Sequence, residues 1–449
     1  MSRRNRKSVP SEPVEAYIES ITHDARGVAR IDGKTVFVDG ALPGERVMFR
    51  YRLQRKNYDE AETVEILEAS PQRVTPGCPH FGVCGGCSLQ HMQASEQIVA
   101  KENVLRDNFR QLAQVEPKSW LPPLMGPHWG YRHKARLSAR FVEKKGGALV
   151  GFRERRSSYL AVMESCPVLH PNVGERITDL RNLIGSLEAK SSIPQIEIAV
   201  AENETVLIFR NLEPLSKSDE QALIAFGQER DLHIYLQPKG PDSIYAIWPE
   251  QEKAESNPLY YSLEDYGLKL HFRATDFTQV NTDINRSMIK QALELLAPGP
   301  EDRILDLFCG LGNFTLPIAT QAGEVIGVEG DEQLVQRARE NAQANGVENA
   351  HFYAADLTAP PDEQPWYGKG FNKVLIDPPR TGAMEIIQRL KKVDADRIVY
   401  VSCNPATLAR DSAHLVHELG YKLLKAGVMD MFPHTAHVES IALFQKRGA

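Results

Sequence analysis

Apolar and polar positions change their period along the chain, and those changes divide it. Over residues 14–21, 27–31, 35–38, 45–51 and 60–67 apolar side chains recur in short runs at a strand-like period. That period predicts half-buried strands. Asp32-Gly33-Lys34 separates two of the runs as a hairpin turn, and residues 41–45 read as a loop. Five strands in so short a span predict a small closed barrel of the OB kind, an architecture that commonly binds single-stranded nucleic acid.

A helical period follows. From residue 91 to about 115, Met92, Ile98, Val99, Val104, Leu105, Phe109 and Leu112 recur at helical spacing. Residues 129–160 read as strands broken by Lys144-Lys145-Gly146-Gly147, and residues 171–265 alternate strands and helices without a chemical motif. Beyond about 266, apolar runs at 304–308, 324–328, 351–353, 373–376, 397–401 and 440–444 predict strands, with helices between them such as 332–345. That alternation predicts a doubly wound sheet with its loops gathered at the strand C-terminal ends. The expected organisation is multidomain: a disordered tail over 1–11, an OB-like β-barrel over 12–70, a central α/β domain with a cysteine-rich loop over 71–265, and a Rossmann-like doubly wound α/β domain over 266–449. The helix over 91–115 is a candidate to pack on the last of these.

The net charge of −6 argues against nucleic acid, but its distribution argues the other way. Residues 1–56 hold 12 Lys/Arg against 7 Asp/Glu, and residues 127–160 hold 9 against 2. Two basic regions are therefore free to meet phosphates. No run of 18 apolar residues exists to span a membrane, and the basic start lacks the apolar stretch of a signal peptide. A cytoplasmic protein is expected, with no membrane association and no evident obligate protein partner.

Residues 305–314 form an apolar strand running into a Gly310-Leu311-Gly312 turn, where glycine lets backbone approach a ligand. Glu329 closes the next strand and is placed to accept from both ribose hydroxyls. Asp356 ends the third, where it meets an adenine amino group. A dinucleotide site requires a third glycine beside the pyrophosphate; Thr315 stands there instead, so S-adenosylmethionine fits better.

Asp377-Pro378-Pro379-Arg380 at a strand end is a place to hold a base beside a reactive cofactor. Cys403, in Ser402-Cys403-Asn404-Pro405 after the next strand, is a nucleophile aimed at the same cleft. Most methyltransferases need no nucleophile, so a thiol there points to methylation of carbon. A thiolate adding to C6 of uracil turns C5 into an enolate carbon able to attack a sulfonium methyl, and a general base must then remove the C5 proton. Glu439 is the candidate base, with His434 and His437 as rivals nearby. Methylation of an amino group is the alternative. Its motif carries Tyr or Phe where this chain has Arg380, which counts against it.

These stretches resemble the RNA uracil-C5 methyltransferases: residues 276–281 (Asp-Phe-Thr-Gln-Val-Asn), 306–314, 377–380, 402–405 and 434–440. The resemblance implies that Gln279, Phe308, Asn313, Glu329, Asp356 and Asp377 contact S-adenosylmethionine, that Cys403 is the nucleophile and that Glu439 is the base. Relatives can carry Asn at the position of Asp356.

Six cysteines in such a chain are not a disulfide framework. Cys78, Cys84 and Cys87 with the distant Cys166 give four soft ligands, and spacing alone leaves an iron–sulfur cluster, zinc or free thiols open. The spacing is not that of a radical S-adenosylmethionine site. The family resemblance implies a [4Fe–4S] cluster, for which methyl transfer has no redox use, so a structural or RNA-positioning role is expected. The N-terminal segment resembles a TRAM domain. Barrel and cluster together resemble the family members that act on 23S ribosomal RNA, with tRNA or another rRNA uridine as the alternative substrate. The basic stretch 131–136 and Phe49-Arg50-Tyr51-Arg52 are expected to hold RNA.

Overall fold

The computed structural model describes residues 9–361, 364–368 and 370–446; most of the expected tail, residues 1–8, lies outside them. Strands β1 (Val14–Tyr17), β2 (Ser20–Ile21), β3 (Arg26–Ile31), β4 (Lys34–Asp39), β5 (Arg46–Gln54) and β6 (Tyr58–Glu68) form one sheet in the order β1-β5-β6-β4-β3-β2. The predicted strand 14–21 is one bent strand. Its first half pairs with β5 and its second with β3, so it joins both edges and curls the sheet on itself. The bend falls at fully buried Ile18, whose N–H donates to Glu45 O at 2.9 Å. Asp32 and Gly33 both have positive φ, 50° and 80°, as a primed hairpin turn requires.

A turn-rich segment carrying the first three cysteines leads into α1 (Ala94–Asn108), extended by a π-helical turn over Phe109–Ala113. Ile98, Leu105 and Phe109 pack with Leu305, Tyr400 and Leu408 of the last domain. Val99 and Leu112, read as part of the apolar face, are instead 47% and 58% exposed. The buried stripe runs through Gln97, Ile98, Lys101 and Leu105. Two of its positions are polar because they bind a distant loop, which a reading by hydrophobicity passes over.

After β7 (Ser119–Trp120), the central sheet contains β8 (Lys134–Val142), β9 (Gly147–Gly151), β10 (Gln195–Val200), β11 (Thr205–Arg210), β12 (His233–Gln237) and β13 (Tyr245–Trp248), in the order β13-β12-β11-β10-β8-β9. Helices α2 (Ile177–Ser186) and α3 (Lys217–Arg230) belong to this region, and a hairpin of β14 (Leu259–Leu263) and β15 (Leu268–Phe272) follows.

The last sheet is built from β16 (Arg303–Leu307), β17 (Glu324–Glu329), β18 (Ala350–Ala354), β19 (Lys373–Ile376), β20 (Arg397–Ser402), β21 (Tyr421–Met429) and β22 (Glu439–Lys446), with α4 (Thr282–Leu296), α5 (Glu332–Ala344) and α6 (Pro405–Ala413). Its order is β18-β17-β16-β19-β20-β22-β21-β7, parallel from β18 to β20, with β22 antiparallel to both neighbours. The order reverses between β16 and β19, and a doubly wound sheet binds ligands at that point. Strand β21 was not foreseen: Lys422 and Lys425 interrupt its apolar run. Among the described residues no helix is long and apolar enough to cross a membrane.

Candidate active site and cysteine pocket

At the end of β16 the chain turns through Phe308 and Gly310, both at positive φ (66° and 55°). The Phe308 and Cys309 amides donate to Val328 O at 2.8 and 3.1 Å, which ties the turn to β17. Gly312 lies at φ 98°, and a Cβ there would come within 3.1 Å of Leu316 Cγ. Leu316 is fully buried, and so is Thr315, which fills the third position of the turn.

Glu329 Oε2 accepts from the Gly310 amide at 3.0 Å, and Oε1 accepts from Gly330 at 2.7 Å. Asn313 is held by Tyr261 Oη, which donates to its Oδ1 at 2.8 Å, and by a reciprocal amide pair with Asn285 at 2.9 and 3.0 Å. Neither partner was visible in the sequence, since they lie 52 and 28 residues away. Gln279 sits in a loop fixed by His133, whose amide donates to Val280 O at 2.8 Å, and by Arg337, 3.2 Å from Asp276. Asp356 is exposed, and its Oδ1 accepts from the Thr358 amide and hydroxyl at 2.8 and 2.7 Å.

Cys403 and Glu439 meet through strand register. The β20–β22 ladder ends with Ser402 opposite Ser440, which brings Cys403, just past β20, and Glu439, the first residue of β22, to the same end of the strand pair. They are close enough for the charge of Glu439 to act on the thiol. Asp377 follows β19 one strand over, its amide donating to Leu307 O at 3.2 Å. Asn404 joins the Ser402–Pro405 and Asp377–Arg380 motifs: its Oδ1 accepts from Ala406 at 3.1 Å, capping α6, and its Nδ2 donates to Arg380 O at 3.0 Å.

The resulting site is crowded with acids. Burial, then the charge of Asp377, pushes Glu439 up to about 8. Burial, then Glu329, pushes Asp377 up to about 7. Fully buried Asp306 donates no charge cheaply either: burial, then Asp377 and Glu329, raise it to about 8, while the Thr315 hydroxyl at 2.5 Å favours its charged form. Burial, then Glu439 and Asp377, push Cys403 up to about 11, with Arg380 working the other way. A desolvated set of carboxyls is relieved by a cation, and a sulfonium is one.

The two histidines separate by position. His434 is buried, packs at 4.1 Å on the Trp129 ring and is pushed down to about 4 by burial. His437 lies in the cleft, and its Nδ1 is 3.1 Å from Arg380 Nη2. Burial and then Arg380 hold it below the usual histidine range, so it orients the arginine. The cleft that exposes Cys403 has a volume of about 580 Å³. Its walls include His23 and Asp24 of the barrel, residues 85–88 of the cysteine segment, Arg380, residues 403–406 and residues 435–438.

The expected RNA-holding stretch 131–136 is mostly engaged otherwise. Tyr131 is buried, with its hydroxyl donating to Pro433 O at 3.0 Å; Lys134 donates to Asp276 O; Arg136 pairs with Glu197 at 2.8 Å.

Cys78, Cys84, Cys87 and Cys166 line one cavity of about 240 Å³, closed by Phe81, Tyr131, Phe152 and Met163. Burial pushes Cys87 up to about 12 and Cys166 up to about 11, and the neighbouring thiolates add to both. Among the described residues no group of three or more His, Cys, Asp or Glu side chains is placed to hold a metal ion. The pocket abuts the active site: the Ser88 and Leu89 amides both donate to His434 O at 2.9 Å.

Residues 298–432 match the methyltransferase domain family, residues 203–360 the tRNA (uracil-5-)-methyltransferase family, and residues 11–49 the TRAM domain. The chain is 53% identical to the 23S rRNA (uracil(1939)-C(5))-methyltransferase RlmD of Methylococcus capsulatus, over 99% of each chain. It is 52% identical to the enzyme of the same name from Alcanivorax borkumensis, again over 99% of each. In fold it is similar to the Pyrococcus abyssi tRNA (uracil-54, C5)-methyltransferase solved with S-adenosyl-L-homocysteine, with a TM-score of 0.71 and 24% identity, covering 96% of this chain and all of that one.

Proposed function

The chain belongs to the 23S rRNA (uracil-C5)-methyltransferases, and on that premise we propose that it methylates C5 of a uridine in 23S ribosomal RNA, of the uracil-1939 type, through a covalent bond to Cys403. S-adenosylmethionine supplies the methyl group as a sulfonium cation. The uridine is taken out of its stack to reach the cleft. Cys403 gives up its thiol proton to solvent, the thiolate adds to C6, and the electron pair of the C5–C6 double bond moves onto C5 and the C4 carbonyl as an enolate. C5 attacks the methyl carbon; the carbon–sulfur bond breaks with its electrons left on a neutral thioether. Glu439 then takes the C5 proton, the C5–C6 double bond re-forms, and the thiolate leaves.

The observation that carries this reading is that Cys403, just past β20, and Glu439, the first residue of β22, come to the same end of one strand pair, with Asp377 just past the neighbouring strand. The charge of Glu439 acts on the thiol, so the proposed base stands near the proposed nucleophile. Gln279, Phe308, Asn313, Glu329, Asp356 and Asp377 are the groups proposed to hold the methyl donor, Asp356 at the adenine end. In this reading Asp306, fully buried beneath the turn, supports the donor site without touching the donor.

Cys78, Cys84, Cys87 and Cys166 are proposed to hold a [4Fe–4S] cluster. Four thiols lining one cavity are a soft donor set of the kind such a cluster takes, with zinc as the alternative. The cluster would supply charge and rigidity. The chain's own link from that pocket to catalysis is the pair of amides from Ser88 and Leu89 that fix His434, five residues before Glu439. A cytoplasmic location follows from the proposed substrate.

Mapping 5-methyluridine in ribosomal and transfer RNA from cells with and without the gene tests the function. Loss at one 23S position supports it; loss in tRNA with 23S unchanged overturns the substrate.

A further inference from the structure

Guanidinium groups crowd two carboxylates where the barrel meets the central domain. Arg156 forks onto Asp39, with Nη2 donating to Oδ1 at 2.6 Å and Nη1 donating to Oδ2. Arg52 Nη1 lies 3.4 Å from the same carboxylate and Arg155 Nη2 3.7 Å. Alongside, Arg26 Nε is 2.8 Å from Asp24, and its guanidinium covers the Phe37 ring. Three guanidiniums bring about fifteen N–H donors to a carboxylate that accepts about four hydrogen bonds. Among the described residues, no hydrogen bond satisfies the Arg155 guanidinium, although its side chain is only 23% exposed.

Adding Glu60, 3.9 Å from Arg26, still leaves four cations against three anions. Burial, and repulsion from Arg26, weigh against the charged forms of Arg155 and Arg156. Such a group is completed by an anion that takes several N–H donors at once, which is how arginines bind phosphate.

Residues beside the seam reach the cleft of Cys403. Asp24 and His23 line the cleft that exposes Cys403. The loop bearing Arg155 is joined to the cysteine segment, with the Arg155 amide donating to Val83 O at 2.8 Å and the Gly85 amide to Arg153 O at 2.9 Å. Gly85 and Gly86 are walls of the same cleft.

We propose that Arg52, Arg155 and Arg156 bind a backbone phosphate of the substrate RNA at this seam, with Asp39 holding their forks in place until the phosphate competes for them. This rests on the reading of the protein as an RNA enzyme. The competing reading is a brace between two domains that never meets RNA.

The test is equilibrium binding of a 23S RNA fragment spanning the methylated uridine, as a function of salt, with Arg155→Gln, Arg156→Gln and Asp39→Asn. Each arginine variant is expected to weaken binding about tenfold near physiological salt and to lower the slope of log K against log salt by about 1. Asp39→Asn is expected to bind as tightly as the parent or tighter, since it frees the forks. An unchanged salt slope in the arginine variants overturns the proposal. So does a loss in Asp39→Asn equal to that in Arg156→Gln, the pattern of a brace. Binding is read without turnover, so a failure to methylate uridine fells the functional reading and leaves this measurement standing.

Discussion

Lys101 and Asp430 form a buried ion pair 2.6 Å long, with side chains 2% and 1% exposed. Lys101 also donates to Phe432 O at 2.9 Å, so α1 grips the loop that leads to Glu439. Gln97, one turn earlier, accepts from the His434 amide at 2.9 Å. Removing one partner of a buried pair leaves the other charged and unsolvated, at a cost of about 3–5 kcal/mol. Lys101→Met is therefore expected to lower the thermal midpoint sharply, and Lys101→Met/Asp430→Leu to recover most of the loss. A double variant no more stable than the single one would remove the electrostatic explanation.

As the proposed base, Glu439 is expected to give stability and activity opposite dependences on pH. Its carboxyl is raised from 4.5 to about 8, chiefly by burial. Between those values the folded protein keeps a proton that the unfolded chain has lost, so this group's stabilisation declines as pH rises through that window. Proton removal from C5 needs the carboxylate, so turnover should climb toward pH 8. Thermal midpoints of the cofactor-free protein from pH 5.5 to 8.5 should fall, and Glu439→Gln should flatten the decline. An equal decline in that variant would assign the effect elsewhere.

Asp377, pushed up to about 7 by burial and then Glu329, is one of the groups proposed to hold the sulfonium. A cation favours its ionised form, a neutral thioether does not. S-adenosylmethionine should therefore bind more tightly at pH 8 than at pH 6, while S-adenosylhomocysteine changes less. Calorimetric titration at both values measures the contrast, and Asp377→Asn should shrink it. Equal pH dependence for both ligands would contradict the assignment.

Much of this was legible in the chain because parallel strands buried on both faces read as apolar runs; the strand over 373–376 lies where the sequence puts it. The glycine turn and the Asp-Pro-Pro-Arg and Cys-Asn-Pro motifs were legible because their backbone demands particular residues. Strand β21 was hidden by its lysines. The grip of Lys101 and Gln97 on residues 430–434 was hidden for another reason: polar residues on a buried stripe find partners some 330 positions away. The locking of Asn313 by Tyr261 and Asn285, and the division of roles between His434 and His437, likewise depend on contacts that no local pattern encodes.

The cysteine pocket gives a compositional prediction. Protein purified without oxygen should carry about four irons and four sulfides per chain. Cys166→Ser should lose most of that iron and lower the thermal midpoint, because the pocket wall is fastened to His434 through Ser88 and Leu89. One zinc per chain and no iron would replace the cluster with a single-ion site.

The central claim is that Cys403 becomes bonded to C6 of the target uridine. The direct measurement is mass spectrometry of the enzyme after incubation with S-adenosylmethionine and substrate RNA carrying 5-fluorouridine at that position. Fluorine cannot leave as a proton, so elimination stalls. A methylated RNA adduct on the peptide containing Cys403 is predicted, and none in Cys403→Ala. Absence of any adduct, from enzyme that methylates the unfluorinated RNA, would contradict the covalent mechanism.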